Sequence, residues 1–125
     1  MEPQLLNSRL TEKIIGCSFA VHRGLGPGFN ERIYSNALQI LFIKEGISFT
    51  AEKEFIVMFD KKQVGKFRCD LLIENSVIVE LKSVTGNMPK LFYNQLISYL
   101  KASKIKTGLL INFGNTSCEV KRLSV

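Results

Sequence analysis

The clearest alternation of apolar and polar positions in the chain runs from residue 67 to residue 82. Phe67, Cys69, Leu71 and Ile73 alternate with Arg68, Asp70 and Leu72. After Glu74-Asn75-Ser76 the pattern resumes, with Val77, Val79 and Leu81 set against Ile78, Glu80 and Lys82. A period of two predicts strands, and a short polar break between two such runs predicts a hairpin. If Glu74, Asn75 and Ser76 form the loop, with Asn75 as its left-handed residue, Ile73 faces Val77. Asp70 then lies opposite Glu80, and Arg68 opposite Lys82. A two-residue loop would instead set Asp70 against Leu81, on the face away from Glu80. A slip of one residue exchanges the two faces, and the uniformly apolar face Phe67, Cys69, Leu71, Ile73, Val77, Val79, Leu81 favours the three-residue loop.

The rest of the chain changes period around this hairpin. Leu10, Ile14, Cys17 and Val21 recur at helical spacing and predict a helix over residues 6–23, broken by Gly24, Gly26, Pro27 and Gly28. A second helix is expected over residues 30–45, with Asn30 as N-cap, Glu31 in the first turn and Gly46 at its end. Tyr34, Leu38 and Leu41 share its stripe with Glu31. Phe55, Val57 and Phe59 alternate as a strand before the polar turn Asp60-Lys61-Lys62-Gln63. Strand 77–84 leads to a helix over residues 89–103, with Pro89 in its first turn and Phe92, Leu96 and Leu100 on one face. Residues 107–113 read as a buried strand and 118–123 as an edge strand. The order is α-α-β-β-β-α-β-β, an α/β (α+β) mixed sheet flanked by helices. Strand 77–84, helix and strand 107–113 form a unit long enough for a parallel crossover, which makes strand 77–84 central.

A length of 125 residues with 46% apolar residues suits one domain over residues 1–125. No apolar run approaches the ~18 residues of a membrane span. Met1-Glu2-Pro3-Gln4 lacks the pattern of a secretory signal. Cys17, Cys69 and Cys118 are odd in number and form no CxxC, and His22 is the sole histidine, so neither a disulfide framework nor a zinc site is expected. Reduced cysteines suit a cytoplasmic protein. Lys and Arg outnumber Asp and Glu by 17 to 11, and the net charge of +6 favours a polyanionic partner.

Asp70 and Glu80 offer hard oxygen ligands suited to Mg²⁺ or Mn²⁺. Lys82, two residues on, could orient a metal-activated water or stabilise developing negative charge. Together they are a minimal kit for phosphodiester hydrolysis. The bland reading of the same residues is a solvated sheet face with surface ion pairs worth little. A central strand rarely carries two charges unless they are paired or functional, which favours the chemical reading. Glu31 also reads as an ordinary helix-start acid, and Gln95 and Tyr99 as polar positions on an amphipathic helix. His22 reads as a helix C-terminal residue, Cys69 as core, and Lys61, Lys62, Lys101, Lys104 and Lys106 as solvated.

Asp70 with Glu80-Leu81-Lys82 on consecutive strands resembles the PD-(D/E)XK nuclease superfamily, whose core is restriction-endonuclease-like. Gly28-Phe29-Asn30-Glu31-Arg32-Ile33-Tyr34 is similar to the signature of its GxxExxY family. Gln95-Leu96-Ile97-Ser98-Tyr99 looks like the QxxxY helix motif of its RecB-like and Cas4-like branch. Cys69 stands where the superfamily name has Pro. The resemblance spans residues 8–123 and implies a metal-dependent nuclease that hydrolyses DNA or RNA, with DNA the favoured of the two. It implies that Asp70 and Glu80 hold the metal, with the Leu81 carbonyl and Glu31 as further ligands. Lys82 would act on the water, and Gln95 and Tyr99 would support the site. Arg68 is a candidate nucleic-acid contact. The alternative function is a non-catalytic nucleic-acid- or protein-binding module that retains the fold. The apolar-aromatic helices would suit a homodimer.

Overall fold

A computed structural model describes residues 7–125. Residues 1–6, on which the secretory-signal expectation and the expected first residue of the leading helix fall, lie outside the described residues.

Helix α1 (Ser8–Leu25) buries Ile14, Cys17 and Val21, three of the four positions that set its period. Helix α2 (Glu31–Lys44) starts where expected, with the Asn30 side chain accepting the Ile33 N–H at 3.3 Å. Its buried stripe is Tyr34, Leu38 and Phe42, with Leu41 half-buried beside it. Gly46 follows at φ 71°, a left-handed stop that glycine takes without penalty.

Five strands lie between α2 and the third helix, two more than expected. Strand β1 (Phe49–Ala51) is too short to show a period. Strands β2 (Glu54–Phe59) and β3 (Lys62–Arg68) form a separate two-stranded ribbon. The turn at its tip is only Asp60-Lys61, both at positive φ, because Lys62 and Gln63 already pair with β2. Strand β4 (Leu71–Ile73) belongs to the main sheet. The strand expected through residues 67–73 is thus broken at Cys69-Asp70.

Strand β5 (Val77–Lys82) pairs antiparallel with β4, and Ile73 faces Val77 as the three-residue loop requires. Glu74 and Asn75 both take φ 53°, and the Ser76 N–H closes the turn on the Ile73 carbonyl at 2.8 Å. Helix α3 (Lys90–Ser103) then crosses to β6 (Thr107–Asn112), which lies parallel to β5, and β7 (Glu119–Ser124) closes the edge antiparallel. The order β1-β4-β5-β6-β7 makes β5 the middle strand of a mixed sheet.

Both faces of this sheet are covered. Leu71, Ile73, Val77, Val79, Leu81, Leu109, Ile111 and Phe113 pack under α1 and α2. Leu72, Ile78 and Leu110 pack under α3 with Leu96, Leu100 and Met88. Cys69 joins this second core, not the Leu71 face expected for it, because the break before β4 reverses its side. Arg68 does not lie opposite Lys82. It pairs with Glu54 in the ribbon, and its guanidinium donates to Glu52 at 3.4 Å.

Candidate active site

The break before β4 sets the geometry of the acids. Asp70 sits one residue ahead of the Leu71–Val79 pair, where the ladder has stopped but the register continues. Its backbone N–H donates to Glu80 Oε2 at 2.7 Å, and the Leu81 N–H donates to Asp70 Oδ2 at 2.7 Å. Each carboxylate is therefore gripped through one oxygen by the other strand's main chain. No hydrogen bond reaches the remaining oxygen of either group among the described residues.

Burial decides the electrostatics. Glu80 sits on a central strand covered by a helix, and burial first, then the Asp70 charge, pushes its carboxyl up to about 8. The Asp70 N–H and Lys82 act against that rise. Burial likewise raises Asp70, opposed by the Leu81 N–H and Lys82, and reinforced by the Glu31 and Glu52 carboxylates. The two acids are held together at a free-energy cost that a nearby cation would relieve.

Lys82 shares the face of Ile78 and Glu80 by strand alternation. Its Nζ lies 4.3 Å from the centroid of the Phe92 ring on α3, a cation–π contact. Gln95, half-buried one turn along α3, makes no side-chain hydrogen bond among the described residues. Tyr99 is closer in. Burial, then Glu80, Asp70 and Cys69, raises its hydroxyl, and its ring stacks on Phe67 at 4.1 Å.

On the other side, Asp70 and Leu81 open into a cleft of about 130 Å³ whose opposite wall is α2, with Glu31, Arg32 and Ser35 facing in. The loop before α2 explains why Glu31 arrives there. The Tyr34 hydroxyl donates to the Gly26 carbonyl at 2.6 Å and accepts the Phe29 N–H at 3.2 Å. Its ring stacks on Phe113 at 4.3 Å, and Ser83 donates to the Phe29 carbonyl at 2.7 Å. Gly28 at φ 111° lets this loop turn. The glycine, acid and tyrosine of that segment therefore divide the work: two shape and anchor the loop, and the acid is presented to the cleft.

Sequence reasoning missed Glu52, which lines the cleft beside Asp70. Its N–H donates to the Asp70 carbonyl at 2.8 Å, and it lies 4.0 Å from Arg32. Three residues from any periodic run, it carried no spacing signal. Phe92 was read only as core. Asn112 and Asn115 were also missed. Each grips one residue of the loop after β5 from both sides, Val84 at 2.9 Å in both directions and Gly86 at 2.8 and 2.9 Å. Asn115 also offers its carbonyl to His22 at 2.8 Å, so the histidine is a structural partner of this loop.

No group of three or more His, Cys, Asp or Glu side chains is placed to hold a metal among the described residues. Two carboxylate oxygens left without hydrogen-bond partners still fit a hard divalent cation, because Mg²⁺ usually takes one or two carboxylates and fills its other positions with water and substrate phosphate.

The fold and the paired acids define a class, an α/β protein with a mixed sheet and a restriction-endonuclease-like core. The family model described as PD-(D/E)XK nuclease superfamily matches residues 8–123, and the chain belongs to that superfamily. Nucleases of this superfamily generally use divalent metals. In fold it is similar to the solved structure described as "Crystal structure of SSO0001", with a TM-score of 0.59 and 21% identity. That match covers 98% of this chain and 61% of the other, so this chain spans about three fifths of its length. None of the curated proteins compared matches the chain. Among the described residues no helix is long and apolar enough to cross a membrane.

Proposed function

We propose that the chain is a Mg²⁺- or Mn²⁺-dependent nuclease that hydrolyses phosphodiester bonds of DNA, in the GxxExxY family and on the RecB/Cas4-like side of the superfamily. The observation that carries this reading is the Asp70–Glu80 pair. A buried carboxylate, Glu80, and a half-buried one, Asp70, face each other, both raised, each with one oxygen fixed by backbone and one left over. Such a pair is costly as structure and useful as a ligand set. A divalent cation held there would supply Lewis-acid polarisation of a phosphoryl oxygen.

The chain's own groups do the rest. Leu81 and Asp70 backbone N–H groups fix the acid rotamers. Lys82, braced on Phe92, places a fixed positive charge where negative charge develops in the transition state. Glu31 and Glu52 add negative charge at the cleft mouth. Tyr99, stacked on Phe67, stands on the α3 side of the two acids. Gln95 would meet substrate rather than protein, since it has no protein partner among the described residues.

The test is a titration of Mg²⁺ or Mn²⁺ into wild type, Asp70→Asn and Lys82→Ala, read with labelled DNA and RNA. Cleavage by wild type should require the cation. Loss of Lys82 should slow it by roughly 10²–10³, the scale of losing one charge-stabilising donor. Cutting that persists in EDTA, or at full rate in both variants, would sink the reading.

A further inference from the structure

The β2–β3 ribbon packs on the body only through one face. Phe55 stacks on Phe67 at 5.2 Å, and Phe67 stacks on Tyr99. The other face has no covering element. It presents Ile56 at 55% and Met58 at 57% exposure, and Val64, the extra residue of a bulge, at 62%. At the tip Phe59 is 74% exposed, the highest of the large apolar side chains in the described chain.

The charge of this ribbon is one-sided. Lys53, Lys61, Lys62, Lys66 and Arg68 stand against Glu54 and Asp60, all of them exposed. Lys66 is paired with Glu54 at 3.4 Å and Arg68 with Glu52 at 3.4 Å. Lys53, Lys61 and Lys62 have no ion-pair partner among the described residues. Lysines also guard exposed strand edges, but edge protection does not account for four apolar side chains set between them. A second copy fits poorly, because an isologous contact would set this basic surface against itself.

The ribbon also adjoins the candidate site. Arg68 and Glu52 link its base to the cleft, the Cys69 N–H donates to the Lys53 carbonyl at 3.0 Å, and Asp70 follows directly. With six residues in β2, the arm is about 20 Å long, the rise of roughly six base pairs. A B-form major groove about 12 Å wide admits a two-stranded ribbon.

We propose that the β2–β3 ribbon is a duplex-DNA docking arm. Lys53, Lys61 and Lys62 contact phosphates, Ile56, Met58 and Phe59 lie against base edges and thymine methyls, and the duplex is thereby held beside Asp70. The assignment rests on the nuclease reading for its substrate class. It predicts weak sequence preference, since the tip offers apolar surface and point charges rather than a donor–acceptor pattern.

The experiment measures binding in EDTA, which separates it from cleavage. A labelled 20-base-pair DNA duplex, the same sequence as duplex RNA, and the single strand are titrated with the full chain. Wild type is compared with Lys61→Glu/Lys62→Glu, with Phe59→Ser, and with the control Lys101→Glu/Lys106→Glu. The tip charge variant should bind duplex DNA at least tenfold more weakly. Its log–log salt slope should be shallower by about 1.8, two phosphate contacts at 0.9 each. The control should change both by less. Phe59→Ser should weaken binding without changing the slope. Equal binding by wild type and the tip variant overturns the proposal, as does equal affinity for single strand or RNA duplex. A wild-type dimer that Met58→Glu/Val64→Glu dissociates would make the occupant a second copy and overturn it too. If the tip variant binds and cuts duplex like wild type, the arm fails and the nuclease reading stands. Binding without cleavage by wild type supports the arm and removes the nuclease reading. Neither binding nor cleavage removes both.

Discussion

Two hairpins share one stretch of chain and have opposite fates. The β4–β5 hairpin is buried on both faces, and its turn is braced by the Glu74 carboxylate on Ser48. The β2–β3 hairpin is exposed on one face and along its tip. Both turn through two left-handed non-glycine residues, and both are antiparallel. What separates them is the covering. Helices lie over both faces of β4–β5, so an acid there is desolvated and its protonation becomes a structural variable. The ribbon meets α3 through its aromatic face and leaves the other face open, so its charges stay solvated and its apolar side chains stay available. Chemistry can be stored in the first hairpin and contact with a large ligand in the second.

The contrast breaks most easily on stability. Ile78→Ala, under α3, should cost about 2–5 kcal/mol, the range for truncating a fully buried aliphatic side chain. Ile56→Ala, on the open face of the ribbon, should stay within about 0.5 kcal/mol. Urea denaturation of both variants measures this, and equal losses would mean the ribbon is covered in solution.

The next effect is on pH. The folded chain holds Glu80 up to about 8, against an ordinary value of 4.5, so between those values the native state keeps a proton that the unfolded chain has released. Stability in EDTA should therefore be greatest below pH 4.5 as far as this group is concerned, and fall as pH rises toward 8. Asp70 acts in the same direction. Thermal unfolding of wild type across that window should show the fall, and Glu80→Gln should flatten it. Added Mg²⁺ should stabilise more at the alkaline end, because it favours the ionised pair. Ribbon variants such as Lys62→Ala should leave the slope unchanged. A slope identical in wild type and Glu80→Gln would contradict the burial assigned to this acid.

The smallest effect is at the ribbon tip. Lys61 sits at φ 63°, a region costing a non-glycine residue about 1 kcal/mol. Lys61→Gly should relieve part of that and slow amide exchange across β2–β3, with no change in exchange along β4–β5. Equal slowing in both hairpins would show that they open as one unit.

The core hairpin was legible because its evidence is local. A uniformly apolar face allowed only one register, and that register put Asp70 beside Glu80 and Lys82 before any contact was known. Helices α1 and α2 and the crossover through α3 were legible for the same reason, since spacing, caps and glycine stops are written in neighbouring residues. Leu71, Ile73, Val77, Val79 and Leu81 fell on one face as read, but Cys69 and Arg68 did not. Alternation runs smoothly through Cys69-Asp70, and nothing local marks the place where the chain leaves one sheet for another.

That break is a tertiary decision. Residues 53–68 can keep β pairing only with each other, while Leu71 onward can bury itself only beside β5, and the chain satisfies both by turning between them. Glu52, Phe92, Asn112 and Asn115 were hidden for a related reason: each acts on a residue that folding, not sequence, brings near. Side-chain period by itself determined which residues would face one another across β4 and β5. Only the packing of helices on both faces decided that Asp70 and Glu80 would be desolvated together, and that the neighbouring ribbon would be left open.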